Sequence, residues 1–150
     1  MTTHRAFVRA LFIIGCLLFL VPTAARAQTP VPTKRALPKG ITVTAGVTSE
    51  KVILGDQFQY IIEVTGNASI DAWKDPDLMK LKGMRVRSGP DQEQTMSIVN
   101  GRSQVVSRHS YTLEATEVGQ FKIPAAQVKM NGVYFDTDEV IVTVADVPQL

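Results

Sequence analysis

The chain has 150 residues, 45% of them apolar and 20% charged, an ordinary globular composition that leaves room for one domain and excludes collagen-like, coiled-coil and wholly disordered chains. Sixteen basic and 14 acidic side chains give a formal charge of +2, but residues 1–27 hold Arg5, Arg9 and Arg26 and no carboxylate, so the remainder carries a net charge of −1. A polyanion binder needs a surplus of basic side chains to release counterions, and this balance argues against a nucleic-acid partner.

The amino terminus has three parts in a telling order. A basic start with Arg5 and Arg9 precedes an apolar run from Ala10 to Val21, then Pro22 and the small-residue tripeptide Ala25-Arg26-Ala27. This is the pattern of a secretory signal peptide, with cleavage expected after Ala27. The run is 12 residues long, against the roughly 20 needed to span a membrane. Cys16 is the only cysteine; it lies in the middle of the run, a poor position for a lipidation site. The mature chain is therefore expected to contain no disulfide, no thiolate nucleophile and no transmembrane segment. A domain of this size can be held together by its core alone.

Residues 28–40 carry Pro30, Pro32 and Pro38 among Lys34, Arg35 and Lys39, and read as an extended, solvated leader. From Ile41 to Asp146 the recurring period is two, that of a strand. Ile41, Val43, Ala45 and Val47 share one parity, as do Phe58, Tyr60, Ile62 and Val64, with Gly55 supplying the turn before the second set. Asp71 to Lys82 is polar, is interrupted by Pro76, and reads as a loop with one helical turn. Asn100-Gly101 and Asn131-Gly132 each predict a tight hairpin, because the dipeptide tolerates positive φ at both positions. The first joins Gln94–Val99 to Arg102–Glu114, the second Ala126–Met130 to Val133–Phe135. Gly119 opens a strand over 119–123 that Pro124 ends, since proline cannot donate to the ladder. Val140–Ala145 is the last strand, and 147–150 form a tail. Seven or more short strands without helices predict an all-β, immunoglobulin-like antiparallel sandwich preceded by a signal peptide, with a small barrel as the competing architecture.

Few groups suited to chemistry are present. Beyond the signal peptide there is one histidine, His109, and no nucleophile elbow or His-Glu-x-x-His pattern, so no catalytic, cofactor-binding or metal-binding residues are assigned. His109 shares parity with Ser107, Tyr111 and Leu113 and is expected to be packed or hydrogen-bonded. Two acidic groups, Asp71, Asp75 and Asp77, and Asp136, Asp138 and Glu139, lack the spacing of an EF-hand loop and read as solvated caps. Lys74, Lys80, Lys82, Arg85 and Arg87 form the densest basic stretch. Trp73, the sole tryptophan, either plugs the end of the sandwich or anchors a partner. Asn67-Ala68-Ser69 is a glycosylation triplet that matters only in a eukaryotic secretory route.

The order of features from Ile41 to Ala145 resembles the amino-terminal domain of the BatD family, bacterial envelope proteins associated with aerotolerance. The resemblance is carried by Val52-Ile53-Leu54-Gly55-Asp56-Gln57-Phe58, Leu81-Lys82-Gly83-Met84-Arg85-Val86, Ser88-Gly89-Pro90, Ser97-Ile98-Val99-Asn100-Gly101, Tyr111-Thr112-Leu113 and Gly119-Gln120-Phe121-Lys122-Ile123-Pro124, running on to Val128, Gly132 and Tyr134. It implies a non-catalytic module that works at the envelope with von Willebrand A-domain proteins and a MoxR-type ATPase, and it carries no catalytic residues across. Family members are usually several times longer, with a membrane-spanning helix near the carboxyl end, so either a free-standing exported form or a truncated frame is expected here.

The sequence thus predicts an exported, periplasmic or envelope-associated interaction module without cofactors. Trp73, Met79, Lys80 and Lys82 are the candidate partner surface. A carbohydrate-binding or adhesive sandwich, with or without calcium, is the alternative.

Overall fold

The structure, a computed structural model, describes residues 34–148; the expected signal peptide, its cleavage point, Cys16 and the first half of the leader lie outside them. Ten strands run in chain order: β1 (Thr42–Val47), β2 (Lys51–Ile53), β3 (Gln57–Thr65), β4 (Ile70–Lys74), β5 (Met84–Val99), β6 (Arg102–Ala115), β7 (Gly119–Ile123), β8 (Gln127–Met130), β9 (Val133–Asp136) and β10 (Val140–Ala145). One 3-10 turn, Leu78–Lys80, stands between β4 and β5. No α-helix occurs among the described residues.

The first layer is the antiparallel sheet β1-β3-β6-β5. The second is built on one long hairpin that pauses midway. β7 pairs with β10 and β8 with β9, Ile123 standing opposite Val140 and Gln127 opposite Asp136, so the register is unbroken across the interruption. Pro124 brings no N–H to the gap, and Thr137 bridges it: its amide donates to the Ala126 carbonyl at 2.9 Å, while its hydroxyl accepts from the Ala126 amide at 2.9 Å. β4 adds to β8, and β2 adds to β10. β2 is parallel to β10, an exception to the otherwise antiparallel pairing. Its three residues are too short for alternation to reveal, and it arises because the chain leaves the first sheet after Val47 and crosses to the second.

The expected parity holds on the first sheet. Phe58, Tyr60, Ile62 and Val64 are all buried, and they face Val128, Met130, Val142 and Val144 of the second sheet in one core. Fully burying such a side chain stabilises by about 1.5–3 kcal/mol. Both Asn-Gly pairs sit at two-residue loops with positive φ, Asn100 at 52° and Asn131 at 49°, the left-handed region that a hairpin of this length requires. Gly55, at φ 90°, turns the chain from β2 into β3.

Two expectations are corrected. The segment Asp71–Lys82 is not a loop throughout, because its first residues belong to β4; the register shifts between Ile70 and Ala72, and this irregularity removes the alternation by which strands are recognised. The first hairpin also extends well beyond Gln94, since β5 begins at Met84. Its early residues escape the pattern because the register shifts between Val86 and Ser88 and again between Ser88 and Asp91. Within the leader, residues 34–40 carry no strand, yet Leu37 packs against the core and the Lys34 Nζ lies 2.7 Å from Asp138 Oδ1.

Gly83 shows how the sheets close at one end. It has φ 75°, and a Cβ there would fall on the Phe121 ring. Gly83→Ala combines a disfavoured backbone with that collision and should cost about 2 kcal/mol or more in urea unfolding; an unchanged midpoint would show that the ring is free to move aside.

Candidate functional site

The most organised polar group in the domain spans the two layers. Asp75 follows β4 of the second sheet, while His109 and Tyr111 lie on β6 of the first. The His109 Nδ1 is 2.9 Å from Asp75 Oδ1, and the Tyr111 hydroxyl donates to Asp75 Oδ2 at 2.6 Å. An ionised carboxylate only accepts, so the shared proton belongs on Nδ1. That leaves Nε2, which is buried and has no partner among the described residues, as is the Tyr60 hydroxyl. Trp73 lies over this cluster, its ring centroid 5.1 Å from that of His109.

Trp73 is therefore partly enclosed. It sits on β4 opposite Val128 and packs, half-buried, against the core. The aromatic body contributes burial there and its neighbours supply polar order. Both oxygens of Asp75 are committed to the opposite sheet, so the cluster ties the layers and presents no free base.

The other carboxylates of the two acidic groups are engaged separately. Asp71 accepts the Gly132 amide at 2.7 Å, Asp77 pairs with Lys80, Asp136 accepts from Gln127, Asp138 meets Lys34 and Glu139 meets Lys122. Neither acidic group converges on one point, and no set of three potential metal-ligating residues is found among the described residues. The basic stretch is likewise divided: Arg85 and Arg87 both grip Glu114, at 3.0 and 3.1 Å, and Lys74 reaches toward the Tyr134 ring, 5.9 Å from its centroid.

A groove of about 390 Å³ lies between the two layers, with Ile70 and Trp73 on one side and Gln92, Gln94 and Arg108 on the other. It runs beside β4 and β5, which are the edges of their sheets on this flank. Of the candidate partner residues, only Trp73 reaches it. Met79 stands on the 3-10 turn with 82% of its surface exposed, next to Lys80, and Lys82 lies exposed just beyond. The glutamines and Arg108 had no sequence signal, because nothing in their spacing announces which edge faces a groove.

Burial and the nearby Asp75 carboxylate drive the ionisation of Tyr60 and Tyr111 well above the ordinary tyrosine value of 10.0; for Tyr111 the hydrogen bond to Asp75 acts in the same direction. The unfolded chain thus releases protons near pH 10 that the folded chain retains, so stability is full below that pH and declines as pH rises past it. The urea midpoint should fall above pH 10, and Tyr111→Phe should flatten that fall. A midpoint that declines equally in the variant would contradict the assignment.

A family model described as BatD DUF11 like domain matches residues 45–144, an interval running from within β1 to the penultimate residue of β10. A search of curated proteins finds no match. The matched interval takes in both sheets, the Asp75 tie and the flanking groove, and on that extent the chain belongs to the BatD family.

Proposed function

We propose that this chain is a non-catalytic interaction module of the bacterial cell envelope, exported by a signal peptide over residues 1–27 and folded as a sandwich over 41–146 behind the leader at 28–40. The observation that carries the reading is the pair of free strand edges, β4 and β5, flanking one groove. An edge strand offers unpaired backbone donors and acceptors to an extended segment of another protein, while the neighbouring side chains select which segment binds. Met79, Lys80 and Lys82, on the turn between those two edges, supply that selectivity. Lys82 has no carboxylate within 4.0 Å among the described residues, so it is available to an acidic partner.

Several features favour recognition over reaction. The one buried ionisable cluster is spent on holding the sheets together, and Asp77, Asp138 and Glu139 are each engaged by a different lysine of this chain. No helix among the described residues is long and apolar enough to cross a membrane, which accords with a module that meets membrane-borne partners from outside the bilayer. By family membership the partners are envelope proteins, with von Willebrand A-domain proteins and a MoxR-type ATPase system as the specific candidates for an aerotolerance or stress-related complex.

A photoreactive residue placed at Met79 should capture a distinct envelope protein on illumination of intact cells, and Lys82→Glu should reduce that yield severalfold. The captured species is expected to be an A-domain protein, and the captured chain should begin at Gln28. Capture of cytoplasmic proteins only, or the same yield from a photoreactive residue placed at Ile141 on the opposite sheet, would overturn the reading.

A further inference from the structure

The hairpin β5-β6 outgrows the layer that should cover it. Gln92 and Gln94 pair with His109 and Ser107 and so share the inner face; Met96 and Ile98 continue that face toward the tip. Where His109 is buried, Met96 is 69% and Ile98 76% exposed. The outer edge of β5 is unpaired, and from Asp91 to Val99 its register is regular. Nine residues at about 3.4 Å each give roughly 30 Å of straight free edge. From Gln94 to Val99 this edge has no charge and no proline, the devices by which proteins ordinarily blunt exposed strands.

We propose that this edge is the pairing surface for a second copy of the chain, joined antiparallel about a two-fold axis at Ser97. The sequence of the arm suits that partner. With Ser97 opposite Ser97 of the second copy, each Met96 stands across from an Ile98 and each Thr95 from a Val99, and the four apolar side chains on the inner faces form one cluster. No like charges meet. Arg102 opens β6 opposite Val99 at the hairpin tip and shares the parity of Glu93, so the two-fold brings the tip of each copy, with its arginine, alongside the Glu93 end of the other. Arg102 has no carboxylate within 4.0 Å among the described residues, and the second copy supplies one. The second copy takes the β5 edge beyond the Met79 turn, which leaves the β4 edge and that turn to the envelope partner.

The test uses the full chain with Cys16→Ser and one new cysteine. Ser97→Cys should join two copies through a short thiol-to-thiol cross-linker. Thr95→Cys, whose partner across the axis is Val99, should do so much more weakly. Sedimentation of the wild-type chain should show a concentration-dependent dimer. Met96→Lys with Ile98→Lys, at positions already exposed, should weaken that dimer by roughly tenfold or more by setting like charges opposite one another, with an unchanged circular dichroism spectrum. A chain that is monomeric at every concentration, a dimer indifferent to the two lysines, or equal cross-linking at 95 and 97 would each overturn the proposal, including the case in which only a different protein occupies the edge.

Discussion

Two sheets have to be kept face to face in a domain whose described residues, 34–148, contain no cysteine. That constraint organises most of what the domain does with its side chains. The apolar part of the solution is a single core to which both layers contribute, with Tyr60, Ile62 and Leu113 from one and Val128, Met130 and Val142 from the other. The polar part is Asp75, which leaves β4 and bonds to two residues of β6 at 2.9 and 2.6 Å. Losing it would strand a buried imidazole and a phenol together, at about 1–3 kcal/mol for each unsatisfied group. The tie is specific as well as stabilising, since only one placement of β4 along β6 lets one carboxylate serve both.

Much of this was legible because solvent imposes a two-residue period on a half-buried strand. Phe58, Tyr60, Ile62 and Val64 read as one face and are one face. The bounds of β7 and β10 follow from Gly119, Pro124 and the β-branched run at 140–145, and the two hairpin loops follow from asparagine followed by glycine. The failures have a common physical origin. β2 is three residues long, β4 contains a register shift, and the start of β5 contains two; in each the alternation is either too brief or broken by an extra residue. Trp73 looked like a loop residue for that reason alone.

The cluster was legible in parts and not as a whole. The parity of His109 placed it inside, and Asp75 was visible as one of several acids near Pro76. That they meet requires β4 and β6 to lie on facing sheets at one height, which is a long-range fact no local pattern carries. The groove is harder still. It exists because the layers diverge at the flank where both β4 and β5 are edges, so its walls are set by topology.

The division of labour that results is simple. The inner faces and Asp75 hold the sandwich, and Met79 and Lys82 around the 3-10 turn and Met96 and Ile98 along the β5 edge are left exposed.

Native-state amide hydrogen exchange tests the central claim, that one core and one tie make the two layers a single cooperative unit. The amides of Ile62 and Leu113 in the first sheet and of Val128 and Val142 in the second should exchange with the same opening free energy, equal to that of global unfolding. Opening of the second sheet at a distinctly lower free energy than the first would contradict the account.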